Sequence, residues 1–191
     1  MQKNIILAGV GGQGILSIAA VIDWAALQEG LNLRQAEVHG MSQRGGAVQS
    51  HLRISDQEIF ADLIGLGTAD LILSVEPLEA LRYLPYLAPS GRVVTSLDPF
   101  VNMTGYPSME EIEAELGKTD RPVLVHAAEL AREAGSARAS NMVMLGAGAP
   151  FTGIAPSKLE AGIEALFGSK GREIVEINIR AFRAGVQLSN A

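Results

Sequence analysis

Two short segments concentrate the residues whose types and spacing could do chemistry. Gly9, Gly11 and Gly14 satisfy the spacing G-x-G-x-x-G, between the apolar run Asn4–Ala8 and an apolar stretch that begins at Ile15. Glycines between a strand and a helix let the backbone turn tightly. They also let an anionic group approach the amides at the helix N-terminus. Gly12 and Gln13 add a fourth glycine and a bulky polar amide that the spacing does not require. Glu37 follows Gly14 by 23 residues, near where an acid would meet a ribose in a dinucleotide-binding protein. Three readings stand open at this point: dinucleotide binding, glycines serving close packing in a doubly wound fold, or a loop that receives an anion or a neighbouring subunit.

The second segment runs from Glu37 to His51 (EVHGMSQRGGAVQSH) and holds two histidines, one arginine and three glycines in fifteen residues. Its first half, His39 to Gly46, reads as a loop, and long irregular loops in compact domains tend to be functional. Arg44, between Gln43 and the Gly45–Gly46 pair and two residues after Ser42, could hold a phosphate or carboxylate by its fork of donors. A solvated loop arginine is the competing reading. No nucleophile, base and orienting group fall together, and no G-x-S-x-G elbow occurs. Glu110 and Glu111 lie on an expected exposed helix face. Asp98 follows a strand at the end where α/β sites gather.

The elements that would position these residues are legible from periodicity. Asn4–Ala8 reads as a strand buried on both faces, and Ile15–Glu29 as a helix closed by Gly30. Leu31–Val38 is expected as a second strand completing a βαβ unit. Ala47–Ile54 alternates, with Val48, Ser50, Leu52 and Ile54 on one face and Gln49, His51 and Arg53 on the other. That predicts a half-buried strand, hairpinned with Gln57–Ala61, and hence a mixed sheet. Ala69–Val75, Arg92–Ser96 and Val123–Val125 read as further strands. Helices are expected over Pro77–Leu87, from the Ser108–Glu111 capping box, and over Ala127–Ala134, Asn141–Ala147, Pro156–Phe167 and Gly171–Gln187. In the last, Glu173, Glu176, Arg180, Arg183 and Gln187 form a polar stripe opposite a wide apolar face that includes Ile174 and Ile177. The fold class is α/β: a three-layer α/β/α Rossmann-like sandwich, with a mixed sheet of about six strands. The expectation is one domain over residues 1–191.

Composition bounds the function. The chain of 191 residues is 48% hydrophobic and carries a formal charge of −6, with no basic run of the kind nucleic-acid binding needs. It has no cysteine, so it supplies no thiolate to a zinc site or an iron–sulfur cluster, and its three histidines lie too far apart to suggest a metal site. No segment reads as a signal peptide or reaches the roughly 20 apolar residues of a membrane span, so a cytoplasmic protein is expected.

Taken together, GVGGQGI, EVHGMSQRGGAVQSHLRIS, DLILSVEPLEALRYLPYL and the Ala139–Ala147 stretch resemble the gamma-type domain of the 2-oxoacid:ferredoxin oxidoreductases. Within that family the sequence looks most like the small subunit of the indolepyruvate type. The likeness extends over essentially the whole chain, and the His39–Gly46 segment is its most specific part. The resemblance implies a subunit that is not catalytic alone, packed against a large alpha subunit that carries thiamine diphosphate and [4Fe-4S] clusters. It implies oxidation of an aryl 2-oxoacid with coenzyme A to an acyl-CoA, with ferredoxin as electron acceptor. It further implies that Gly9, Gly11, Gly12, Gln13 and Gly14, with Ser42, Gln43, Arg44, Gly45 and Gly46, face coenzyme A or the partner chain. The remaining alternatives are a free-standing NAD- or FAD-binding domain and a purely structural assembly subunit.

Overall fold

The computed structural model describes residues 1–39 and 45–189. Six strands, β1 (Gln2–Val10), β2 (Asn32–His39), β3 (Ala47–Ser55), β4 (Ala69–Ser74), β5 (Leu87–Ser96) and β6 (Val123–Val125), form one sheet in the order β2-β3-β1-β4-β5-β6. β1, β4, β5 and β6 are parallel, while β3 runs antiparallel to both of its neighbours. The mixed sheet agrees with the expectation, but the first βαβ unit does not close on itself. β3 inserts between β1 and β2, so β2 becomes the edge strand. The Gln57–Ala61 hairpin is likewise absent, because β3 spends its two edges on β2 and β1.

Alternation on β1 explains why it reads as an unbroken apolar run. Ile5 and Leu7 enter one core, and Ile6 and Ala8 enter the other, so both faces are dry. The smaller core lies under α2 (Pro77–Arg82) and α3 (Met109–Leu116). The capping box at Ser108 forms as the sequence predicts, with reciprocal bonds between Ser108 and Glu111. The larger core lies under α1 (Ile15–Gln28), α4 (Ala127–Glu133), α5 (Ser140–Thr152) and α6 (Pro156–Phe167), with α7 (Arg172–Ser189) stacked behind α5. α5 is buried on all sides: Asn141 to Ala149 are covered without a break. This requires helix–helix contact at backbone distance. A Cβ added at Gly146 would stand 1.9 Å from the Phe182 carbonyl oxygen, and one at Gly185 would stand 2.0 Å from that of Val143. On α7 the expected polar stripe is exposed, but the buried face centres on Asn178, Ala181, Phe182 and Gly185. Ile174 is 39% exposed.

Two shorter differences have local causes. The helix from Pro77 ends at Arg82 and passes into a 3-10 turn at Leu84–Tyr86, where Pro85 cannot donate to an α-helical ladder. The strand expected over Arg92–Ser96 begins earlier, at Leu87, and takes Pro89–Gly91 into β5 at an irregular register between β4 and β5.

His51 is buried rather than outward-facing, because the irregular segment 56–68 crosses that side of the sheet. Its Nδ1 accepts the Ile64 amide at 3.1 Å, and its ring meets Tyr86 edge-on. Burial lowers its pKa, which keeps the accepting nitrogen free of a proton.

Asp23 on α1 has a buried Oδ1 with no hydrogen-bond partner, and the negative Glu37 of β2 stands nearby. Burial, then that charge, raises its pKa from 3.8 to about 7. The folded protein therefore holds this proton at pH values where the unfolded chain has released it. The stability associated with the protonated group is fully present below about pH 4 and is lost as the pH rises to about 7. We expect Asp23→Asn to stabilise the protein by about 1–2 kcal/mol at pH 8, the figure being reduced for partial solvent screening. The gain should fade towards pH 4. Urea titrations at both pH values check this, and a variant less stable at pH 8 would contradict it.

Candidate functional site

The carboxyl ends of the parallel strands are where an open α/β sheet leaves room for a ligand. Here β1 runs out at Val10 and the loop Gly11–Gly14 turns into α1. Gln13 shapes that turn. Its Oε1 accepts the Val10 amide at 2.7 Å, and its Nε2 donates to the Val75 carbonyl at 3.4 Å, while its own amide returns to the Val10 carbonyl. The amide that the sequence pattern did not require is thus a brace between β1 and the end of β4. Gly14 has φ of +80° and ends the loop as the N-cap of α1, with no side-chain cap; its carbonyl accepts from Asn141 Nδ2 at 3.2 Å. A Cβ at Gly9 would meet Val75 Cγ2 at 2.4 Å, so this glycine serves packing.

The fold joins the two segments that the sequence singled out. The Gly11 amide donates to the Gly46 carbonyl at 2.8 Å, directly beside the Val10–Ala47 pairing of β1 with β3. Gly45 is left-handed, and its carbonyl accepts from Asn102 Nδ2 at 2.5 Å. Ser42, Gln43 and Arg44 lie outside the described residues. The Gly11, Gln13 and Ser17 amides are used internally, on Gly46, Val10 and Gly14, whereas those of Gly12 and Gly14 donate to no backbone carbonyl among the described residues.

Beside this loop opens a cavity of about 490 Å³, lined among others by Gly12, Gln13, Ser96, Asp98, Arg138 and Ser140. One oxygen of Asp98 is engaged structurally: Oδ2 accepts from Ser96 Oγ at 2.8 Å and from the Ala128 amide at 2.7 Å, pinning α4 to the end of β5. On the other side of the loop lies a second cavity of about 420 Å³, touching Gly14, Ser17, Asn141 and again Arg138. Arg138 was not anticipated from sequence. It is brought to the site by a one-turn 3-10 segment, Ala137–Ala139, whose Ser136 cap gave only a weak local signal.

The neighbourhood is braced from below by Glu76, which is 1% exposed. Its Oε2 caps α2 through the Glu79 amide at 2.8 Å. Its Oε1 accepts from the Tyr106 hydroxyl and from the Phe100 amide, thereby holding the 97–107 loop whose Asn102 supports Gly45. Burial, then the hydrogen bond to Glu76, raises the Tyr106 pKa far above the usual phenol value, so this hydroxyl remains a donor.

Glu37 is badly placed for a ribose. It pairs across the sheet with Ser50, and Ser50 with Leu7, so it stands level with the middle of β1 and two strands away, about 10 Å by strand spacing. Its carboxylate also accepts from Gln35 Nε2.

The chain matches the family model described as pyruvate ferredoxin/flavodoxin oxidoreductase over residues 4–188. It is 40% identical to the indolepyruvate oxidoreductase subunit IorB of Pyrococcus horikoshii, over 97% of this chain and 95% of that protein. Among solved structures, the pyruvate oxidoreductase subunit PORC of Thermotoga maritima superposes with a TM-score of 0.75 at 22% identity, covering 97% of this chain and 96% of that one. A 2-oxoglutarate:ferredoxin oxidoreductase of Magnetococcus marinus, solved with 2-oxoglutarate, coenzyme A and succinyl-CoA bound, gives 0.77 at 24% identity. There, 99% of this chain covers 31% of a longer one. At such identities the two structures speak for the fold.

Proposed function

The chain belongs to the pyruvate ferredoxin/flavodoxin oxidoreductase family, and from that membership we propose that it is the small subunit of an indolepyruvate-type 2-oxoacid:ferredoxin oxidoreductase. With a larger alpha subunit it would convert an aryl 2-oxoacid and coenzyme A to acyl-CoA and carbon dioxide, passing electrons to ferredoxin. One observation carries the reading: the likeness to the indolepyruvate subunit spans the whole chain, and its most specific segment is bonded to the glycine loop through Gly11 and Gly46.

Thiamine diphosphate and iron–sulfur clusters supply decarboxylation and electron transfer in such an enzyme, and on this reading both belong to the larger subunit. A chain without cysteine has no thiolate to give a cluster. The role of this chain is to present phosphate-binding backbone at the mouth of the partner's site. Gln13 holds the loop open in shape, and the amides of Gly12 and Gly14 face outward to a pyrophosphate of coenzyme A, with Arg44 as the cationic arm. A dinucleotide-binding role is disfavoured by the position of Glu37.

Co-expression with the large subunit should give activity with indolepyruvate, coenzyme A and ferredoxin that requires both chains. Full activity of the large subunit alone would sink the proposal. In the assembled enzyme, Arg44→Ala should raise the KM for coenzyme A about tenfold with kcat little changed. An unchanged KM would remove the phosphate role of Arg44 while leaving the subunit assignment intact.

A further inference from the structure

The two faces of the sheet are covered by different means. On the side of the smaller core, α2 packs on β1, β4 and β5. Over β2 and β3 the cover on that side is the irregular segment 56–68, which bonds to Arg34 of β2 and to His51 and Arg53 of β3. The segment is anchored along its length. Arg34 Nε donates to the Ile59 carbonyl at 3.3 Å, Arg53 Nη1 to the Ala61 carbonyl at 2.8 Å, and the Gly67 amide to the Pro85 carbonyl at 3.0 Å. Ile59 and Ile64 are buried beneath it, whereas Phe60, Leu63 and Leu66 are 89, 62 and 68% exposed. Single exposed apolar side chains are ordinary on a folded protein. A phenylalanine and two leucines at three-residue intervals on a fixed backbone are not, and a second surface that covers them gains their burial.

Charge says which surface that is. Residues 56–68 hold three carboxylates, of Asp56, Glu58 and Asp62, and no base. Asp56 pairs with the N-terminal amine and Asp62 with Arg34. Glu58 is exposed and has no ion-pair or hydrogen-bond partner among the described residues. With Asp56 it lines a cavity of about 500 Å³ beside Phe60. A long cationic side chain suits both that space and that charge. A second copy of this acidic chain would bring the same three carboxylates to the rim, and like charges set together oppose association.

We propose that the outer face of segment 56–68 is the docking surface for the large subunit, with Phe60, Leu63 and Leu66 entering an apolar socket whose rim is basic. The inference rests on the subunit reading above and deepens it, by naming the surface and the chemistry of what covers it. An arginine or lysine of the large subunit occupies the cavity beside Glu58. The segment leaves β3 at the amino end of β1, where Ser55 pairs with Gln2, and meets it again at His51, opposite Ile6. The glycine loop leaves the other end of β1, so this contact holds the subunits together away from the loop.

Dissociation of the co-expressed two-subunit enzyme on dilution, followed by mass photometry, tests the surface. Phe60→Ala should raise the dissociation constant about thirtyfold, and Leu63→Ala and Leu66→Ala about fivefold each. Glu58→Lys should raise it about tenfold at low salt, and less as ionic strength increases. These side chains are exposed, so urea midpoints of the isolated variants should match the parent, which separates lost docking from lost folding. Leu27→Ala, at an exposed leucine of α1, is the control and should leave the constant unchanged. The KM for coenzyme A, read at concentrations that restore the complex, should stay at the parental value throughout. A Phe60→Ala enzyme that dissociates no more readily than the parent overturns the docking surface, as does an equal effect of Leu27→Ala. A dimer of the isolated chain that Phe60→Asp dissolves gives the patch to a second copy and also overturns it. If the unaltered chain does not associate with the large subunit at all, the functional reading falls, and the docking surface falls with it.

Discussion

Gly146→Ala should cost the protein about 4 kcal/mol or prevent folding altogether. The new methyl would sit 1.9 Å from the Phe182 carbonyl oxygen and 3.0 Å from the Val186 amide nitrogen, inside a helix pair that meets backbone to backbone. No rotamer change can relieve the clash, because the opposing atoms are main chain. The two helices would have to separate, and α5 is covered along nearly its whole length, so the separation would open the larger core to water. Gly185→Ala should behave alike, since its added carbon would stand 2.0 Å from the Val143 carbonyl oxygen. Gly168→Ala is the matched control. That residue has helical dihedrals and nothing within 4 Å of an added Cβ, so alanine should be neutral or slightly stabilising. Urea unfolding of the three variants decides the matter. A Gly146→Ala protein within about 1 kcal/mol of the parent would show that the helices tolerate a wider spacing than the packing implies.

Glu76→Ala is expected to lose about 3 kcal/mol, roughly the sum of a helix cap and one or two buried donors left unpaired. Three donors converge on this carboxylate: the Glu79 amide, the Phe100 amide and the Tyr106 hydroxyl. Tyr106→Phe removes only one of these bonds and should cost about 1 kcal/mol. In the double variant the losses should fall short of additivity, because the hydroxyl and the carboxylate are partners. The functional consequence is separable from stability. The 97–107 loop holds Gly45 through Asn102, and Gly46 receives the Gly11 amide, so loosening the loop loosens the segments proposed above to face the coenzyme. Hydrogen exchange at the Phe100 amide should accelerate in Glu76→Ala beyond what the global loss of stability explains. Exchange that merely tracks global unfolding would separate Glu76 from the site.

Much of the architecture was legible in the sequence because its signals are local. The both-faces-buried run Asn4–Ala8, the capping box at Ser108 and the helix Pro156–Phe167 all follow from periodicity and end chemistry, and they stand where periodicity puts them. The glycine loop was legible for the same reason, since a strand-to-turn-to-helix transition leaves its mark in ten consecutive residues. The family, too, was carried by contiguous motifs rather than by any distant pairing.

What tertiary structure decided is which residues from separate segments share a surface. β3 could not be placed between β1 and β2 from sequence, because strand order depends on edges competing for partners and each strand's pattern is silent about its neighbours. That same insertion buries His51 under the 56–68 segment and moves Glu37 away from β1. Gln13 looked like a ligand-facing amide until the ends of β1 and β4 came together to receive it. Arg138 and Lys170 sit 32 residues apart in sequence, on two short turns with no motif, and only the packing of α5, α6 and α7 brings them to one cavity. Local propensity determines the elements, since each is written in a few adjacent side chains. The site depends on long-range burial, which assigns a polar group its partner only after the core has closed.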